Sequence, residues 1–159
     1  MFIGRQEELS ILNTLTKKKT ASLVAVKGRR RVGKSRLLEY FGQNKLFYKF
    51  TGLAPVQDIS VQDQRNEFAR QLHLQTGLPK MTTEDWADLF TLLARMTTKN
   101  RVIILFDEIS WMAMDDATFL PKLKNAWDDD FKQNDKLMLI LCSSVSMWFD
   151  DHILSSTAF

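Results

Sequence analysis

Two glycines and a lysine follow a short apolar segment near the start of the chain, and their spacing constrains the fold more than any other feature. Residues 28–35 read GRRRVGKS, which places Gly28, Gly33, Lys34 and Ser35 in the pattern G-x-x-x-x-G-K-S. With glycine at about 7% of residues, a chance match in a chain of this length has a probability on the order of 1%. The pattern therefore predicts a phosphate-binding loop between a strand and a helix.

Each fixed position of this loop has a physical reason. Gly28 lets the chain leave the strand sharply, and Gly33 lets the backbone approach a phosphate closely because it has no Cβ. We expect Lys34 to contact the β- and γ-phosphates and Ser35 to offer its hydroxyl to Mg²⁺. Solvent-facing positions remain an alternative for the three arginines at 29–31. The candidate nucleotide-binding residues of this segment are Gly28, Arg31, Val32, Gly33, Lys34, Ser35 and Arg36.

Short apolar segments alternate with segments of helical periodicity along the rest of the chain. The predicted strands cover 21–27, 46–51, 101–106 and 136–142. The predicted helices cover 6–16, 35–43, 61–76, 84–96, 117–131 and 146–154. In helix 61–76, Phe68, Leu72 and Gln75 share one face, and Thr83 is the expected cap of the helix that begins at 84.

The predicted strands are apolar throughout, which indicates an α/β fold with a parallel sheet covered by helices on both faces. In such sheets ligands bind outside the carboxyl ends of the strands. The phosphate-loop motif and the polar residues considered next all follow predicted strands directly. We therefore expect them to meet at one edge of the sheet.

Two adjacent carboxylates, Asp107 and Glu108, follow the apolar strand 101–106. Mg²⁺ binds oxygen ligands and keeps several waters, so one carboxylate near Ser35 is sufficient to place it, and Asp107 is the candidate, either directly or through a water. A second carboxylate one residue further on can polarise an attacking water, which makes Glu108 the candidate catalytic base. The alternative is that the pair caps a helix and provides an acidic first turn.

Three serines follow the last apolar strand, at positions 143, 144 and 146. We expect Ser144, and Ser143 as a second choice, to face the terminal phosphate of a bound nucleotide. Together with Glu108 and Lys34, Ser144 is therefore a candidate catalytic residue. The alternative is that these serines cap the helix that follows.

Composition adds bounds on the class of protein. The chain has 159 residues, of which 45% are apolar and 26% charged, and we expect a single domain over 1–159. No apolar run is long enough to cross a bilayer, so no membrane association is predicted. Cys142 is the single cysteine, which suits a reducing cytoplasm. The net charge of +3 is not accompanied by a long basic stripe of the kind that binds nucleic acid.

Taken together, these motifs resemble the bacterial and archaeal AAA-family ATPases of the predicted archaeal-type ATPase group, which is close to the STAND-like P-loop ATPases. The resemblance runs nearly end to end, with two departures at Ser143 and Met147. The matching segments are 2–9 (FIGRQEEL), 28–35 (GRRRVGKS), 50–53 (FTGL), 107–112 (DEISWM), 127–128 (WD) and 142–148. The resemblance implies that Ile3 and Gly4 lie near the adenine and that Arg5 holds this opening segment.

The resemblance also implies a three-layer P-loop NTPase fold (ASCE/AAA-like) and the cofactors ATP or ADP with Mg²⁺. In the longer protein it implies hydrolysis that drives a conformational switch, with homo-oligomers possible and nucleic-acid contacts only through segments outside this sequence. Residues 155–159 resemble the segment before the family's last strand and lid. We therefore expect a fragment that binds nucleotide weakly, hydrolyses it poorly and leaves strand 21–27 or 136–142 at an edge.

Two other functions remain open at this level. The first is a regulatory module that holds ATP or ADP with negligible turnover and signals through an oligomer interface. The second is a P-loop kinase acting on a small molecule, for which an arginine-containing lid at 63–70 is the one candidate.

Overall fold

The structure is a computed structural model that describes residues 6–27, 34–42 and 46–149. Its strands form one sheet in the order β1-β4-β3-β2, and every neighbouring pair is parallel. The strands are β1 (Ser22–Lys27), β2 (Leu46–Thr51), β3 (Val102–Asp107) and β4 (Leu137–Ser143). The α/β fold with a parallel sheet that the sequence predicts is confirmed.

Helices connect the strands and cover both faces of the sheet. Within the described residues they are α1 (Gln6–Thr16), α2 (Lys34–Phe41), α3 (Val61–Thr76), α4 (Trp86–Arg95), α5 (Ile109–Met112), α6 (Phe119–Asp129) and α7 (Ser146–Phe149). A 3-10 turn, Phe131–Gln133, follows α6. The bounds predicted for α1 and α3 are confirmed, whereas the short helix α5 was not predicted.

The core is divided in two by the sheet because side chains alternate between its faces along each strand. On β3, Ile103 and Leu105 pack with α1 and α2, while Ile104 and Phe106 pack with the helices of the other face. The larger half contains an aromatic cluster made of Phe50, Phe68, Trp86, Phe90, Phe106 and Phe119. This arrangement makes three layers: helices, sheet and helices.

The position of β4 corrects one prediction. Strand 136–142 was one of two candidates for an edge of the sheet, but β4 lies between β1 and β3. All seven of its residues are buried, and only an internal position covers a strand on both faces and both edges. The edges of the described sheet are β1 and β2.

The start of α4 corrects a second prediction. Thr83 was expected to cap this helix, but the cap is Asp85, whose side chain accepts the Ala87 N–H at 2.8 Å. Thr83 instead accepts the Asp85 N–H and donates to Asp88. The helix begins two residues later than predicted because Trp86, which is 1% exposed, must reach the core.

The prediction for helix 117–131 was too long at both ends. At its start, Asp116 accepts hydrogen bonds from both the N–H and the hydroxyl of Thr118, which forms a turn before α6 begins. At its end, Asp130 has φ −123° and ψ −63°, outside the helical region. Phe131 then enters the core from the separate 3-10 turn.

Replacing Phe68 by alanine tests the aromatic cluster. The ring stacks on Phe50 with centroids 4.2 Å apart and meets the edges of Phe106 and Trp86 at 5.5 and 5.4 Å. We expect Phe68→Ala to lower the free energy of unfolding by about 3–5 kcal/mol in denaturant titrations. Leu74→Ala on the same helix is the control. This side chain is 65% exposed, and its loss should change stability by less than about 0.5 kcal/mol. Equal effects of the two substitutions would contradict this packing.

Candidate functional site

The acidic pair lies at the carboxyl end of β3, inside the protein. Asp107 is the last residue of the strand and is 5% exposed, and Glu108, which follows it, is 4% exposed. Burying two adjacent carboxylates is unfavourable unless neighbouring groups or a ligand compensate for their lost hydration. Two buried carboxylates at the ligand-binding edge of a parallel sheet are therefore the core of the candidate site.

Glu108 has a backbone conformation that is rare for a residue with a side chain. Its φ of 52° and ψ of 51° are left-handed, which costs about 1–3 kcal/mol for a residue other than glycine. Glu108 occupies the N-cap position of α5, and its carbonyl accepts the Trp111 N–H at 3.0 Å. Its side chain makes no capping bond, and the first turn of α5 has no acidic residue. The capping alternative considered from the sequence therefore does not describe this carboxylate.

The Glu108 carboxylate faces Ser144, just beyond the end of β4. Its Oε2 accepts the Ser144 hydroxyl at 2.9 Å and the Ser144 backbone N–H at 3.4 Å. The neighbouring Ser143 lies 3.1 Å from the Ser110 hydroxyl and accepts the Val145 N–H at 3.0 Å. Of the two serines singled out in the sequence, Ser144 is thus the one in contact with the acidic pair, and Ser143 holds the turn.

The strand register brings the phosphate-loop segment to the same edge. Lys27, the last residue of β1, pairs with Ser143, and Asp107 pairs with Cys142 on the same strand β4. Neighbouring strands lie about 4.8 Å apart, so β1 ends about 10 Å from the acidic pair. This distance is suitable for a bound triphosphate to reach from one to the other.

The structure describes the strand before the phosphate-loop motif and the helix after it, but not residues 28–33 between them. The motif begins directly after β1, and Lys34 and Ser35 open α2, as a strand–loop–helix motif requires. Arg36 is exposed on that helix. The predicted binding residues Ile3, Gly4, Arg5, Gly28, Arg31, Val32 and Gly33 lie outside the described residues, as do the side chains of Lys34 and Ser35. Their roles stay predictions.

Gly52 contacts the acidic turn and was not among the site residues predicted from the sequence. A Cβ at this position would lie 2.9 Å from the Glu108 carbonyl oxygen, 2.9 Å from the Trp111 Cβ and 3.0 Å from the Met112 nitrogen. The Gly52 N–H also donates to the Asp107 carbonyl at 3.1 Å. The segment after β2 therefore packs against the acidic turn at a distance that only glycine allows. The signal in the sequence was the glycine directly after a strand.

The arginines considered for a kinase lid are held in a regular helix. Residues 63–70 lie within α3, where Arg65 pairs with Asp116 at 3.1 Å and Arg70 pairs with Glu67 at 2.7 Å. An acceptor lid needs arginines that can reach a phosphate. Arg65 is held by Asp116 in a pair that is only about 10% exposed, which disfavours the kinase alternative, whereas the exposed pair of Arg70 carries little weight.

The α/β fold and the sequence motif at 28–35 together indicate a P-loop NTPase domain. The protein belongs to a family of ATPase domains found predominantly in Archaea, whose family model matches residues 2–158. An uncharacterized protein of Methanocaldococcus jannaschii is 26% identical over 147 residues, which cover 92% of this chain and 30% of that protein. An uncharacterized ATP-binding protein of the same organism is 44% identical over 45 residues, 28% of this chain and 76% of that protein.

Solved structures with the same fold include a Walker-type ATPase of Pyrococcus abyssi, with a TM-score of 0.68 and 19% identity over 98% of this chain and 49% of that one. The Cdc6p protein of Pyrobaculum aerophilum has a TM-score of 0.63 and 15% identity, over 98% of this chain and 42% of that one. The ORC2 protein of Aeropyrum pernix has a TM-score of 0.61 and 15% identity, over 97% of this chain and 45% of that one. This chain therefore spans less than half the length of these three structures.

Replacing Gly52 by alanine tests the close approach to Glu108. We expect Gly52→Ala to lower the free energy of unfolding by about 1–3 kcal/mol, because the new methyl group must displace the acidic turn. Hydrogen exchange of segment 107–113 should become faster. Gly77→Ala is the control, since Gly77 has φ 76° but open space around it. It should cost about 1 kcal/mol from backbone strain and leave exchange at 107–113 unchanged. Normal stability and exchange in Gly52→Ala would contradict the packing.

Proposed function

We propose that this domain binds ATP with Mg²⁺ and that the full-length protein hydrolyses it to drive a conformational switch. The observation that carries the proposal is the geometry of Glu108, a buried carboxylate held in a left-handed turn against Ser144 at the carboxyl edge of the sheet. Membership in an ATPase-domain family and similarity to an ATP-binding protein support it.

The donor set suits a magnesium ion. Mg²⁺ prefers oxygen ligands and holds several waters, so a site needs few protein groups. The buried carboxylate of Asp107 and the hydroxyl of Ser35 would hold the ion between β3 and the start of α2. When bound, the ion neutralises negative charge on the phosphates.

The reaction assigned to these residues is hydrolysis of the terminal phosphate. Lys34 would bind the β- and γ-phosphates and orient them. Glu108 would accept a proton from a water molecule while the oxygen of that water forms a bond to the terminal phosphorus. At the same time the bond from that phosphorus to the ADP oxygen breaks. The Ser144 hydroxyl fixes one oxygen of Glu108 and thereby sets the direction of the carboxylate.

The proposal extends to the setting of the domain. No helix in the described part of the chain is long and apolar enough to cross a membrane. The single cysteine, Cys142, is buried at the end of β4. Because a single cysteine suits a reducing compartment, the cytoplasm is the proposed location. A homo-oligomer is one form in which the full-length protein could act.

Replacing Glu108 by glutamine tests its role as base. In the full-length protein, we expect Glu108→Gln to keep its affinity for ATP and to lower steady-state hydrolysis by about 100-fold or more, because an amide cannot accept the proton. Glu84→Gln removes an exposed carboxylate and is the control, with unchanged turnover expected. Unchanged turnover in Glu108→Gln would argue against a base at this position. Tight ATP binding without turnover in the parent protein would instead favour a regulatory module.

Replacing Lys34 by alanine tests nucleotide binding itself. We expect Lys34→Ala to weaken ATP binding by about 10- to 100-fold in calorimetry with Mg²⁺. The reason is that a hydrogen bond from a charged donor contributes about 1.5–3 kcal/mol to the binding free energy. Lys99→Ala is the control, because Lys99 is exposed before β3, at the opposite edge of the sheet. Equal ATP affinity in Lys34→Ala and the parent would refute the central proposal.

A further inference from the structure

Three glutamine side chains of α3 bind the backbone of β2 and of Leu53, which lies two residues beyond the strand. Each amide accepts a backbone N–H through its oxygen and donates to the carbonyl of the same residue through its nitrogen. The pairs are Gln75 with Lys49, Gln71 with Thr51, and Gln64 with Leu53. All of these bonds are between 2.7 and 2.9 Å long. We call these pairs the glutamine clamps.

The spacing of the glutamines along α3 matches the spacing of their partners along the extended chain. Positions 64, 71 and 75 lie on one face of α3, and positions 49, 51 and 53 alternate along an extended chain, so their polar groups point to the same side. A glutamine amide offers the donor and acceptor that a neighbouring strand would offer. The outer edge of β2, which would otherwise expose unpaired backbone groups, is thereby covered by α3.

The clamp nearest the site acts on the segment that packs against Glu108. Gln64 is 2% exposed and holds Leu53 through two bonds of 2.8 Å. Leu53 follows Gly52, whose N–H donates to the Asp107 carbonyl and where a Cβ would lie only 2.9 Å from the Glu108 carbonyl oxygen. Gln64 thus holds the segment Gly52–Leu53, against which the left-handed turn at Glu108 packs.

The same turn of α3 also holds the chain beyond the acidic pair. The Gln64 amide nitrogen lies 3.4 Å from the Met114 sulfur. Its neighbour Arg65 donates to the Asp116 carboxylate at 3.1 Å, and the two side chains are only 10% and 11% exposed. Two consecutive residues of α3 therefore contact the chain that follows the acidic pair, and one of them, Gln64, also holds the segment at Leu53.

We infer that Gln64 is a positioning residue for Glu108: it keeps Gly52 against the acidic turn, and so keeps the Glu108 carboxylate directed at the reacting water. The inference rests on the proposed function, because it assigns to Gln64 a share in hydrolysis. It does not require Gln64 to touch the nucleotide. The other two clamps have the same chemistry further from the site.

The three clamps provide a matched test in the full-length protein. We expect Gln64→Leu to lower kcat by about tenfold or more while the dissociation constant for ATP changes less than about threefold, because misdirection of a catalytic group affects the chemical step. Gln75→Leu removes the same pair of bonds at an exposed position far from Glu108. It should keep kcat within about twofold of the parent.

A double variant separates positioning from general loss of stability. If Gln64 acts through Glu108, Gln64→Leu should change the single-turnover rate by less than about twofold when Glu108 is already glutamine. A purely structural role predicts the same reduction in both backgrounds. Should Gln64→Leu fail to fold, Gln64→Asn replaces it. This variant keeps a neutral amide on a side chain one methylene shorter, which cannot hold both Leu53 groups at the same distances, and it should lower kcat with the same dependence on Glu108.

The outcomes distinguish this inference from the proposed function. Equal kcat in Gln64→Leu and Gln75→Leu, or equal reductions in both Glu108 backgrounds, would overturn the inference while Glu108-dependent hydrolysis stands. A parent protein that shows no Glu108-dependent hydrolysis would overturn both.

Discussion

Burial of β3 and β4 on both faces is the constraint on which the rest of the structure depends. Every residue of these two strands is buried, so neither can lie at an edge of the described sheet, and helices must cover both of its faces. Parallel pairing then aligns the carboxyl ends of the strands. Asp107, Ser143 and the end of β1 meet at one edge for this reason, although they are far apart in the sequence.

The site combines this alignment with local strain. Glu108 leaves the strand in a left-handed turn, and such a conformation persists only where the surroundings hold it. Gly52 packs on one side of the turn, and Ser144 binds the carboxylate. Through Gln64, helix α3 holds the Gly52 segment in place. The proposed positioning of the carboxylate therefore depends on three separate segments, and the glutamine clamps connect the outer edge of the sheet with its carboxyl end.

The sequence predicted the helices and strands well where periodicity was strong, and less well where side chains compete locally. The bounds of α1, β2 and α3 were predicted without error. The start of α4 was misplaced because Asp85 caps in place of Thr83, and the length of α6 was overestimated because Asp116 forms a turn before it. Helix α5 was missed because a four-residue helix is too short for a periodic pattern.

By itself, the sequence determined the class of the protein. The motif at 28–35, the carboxylates after an apolar strand and the alternation of apolar and amphipathic segments together specify a P-loop α/β domain, because each is a local pattern with a physical reason. Tertiary structure alone decided that Ser144, not Ser143, binds Glu108, that Gly52 lies against the acidic turn, and that glutamines cover the edge of β2. These are contacts between segments distant in sequence. Their distances depend on register and packing, which no local pattern encodes.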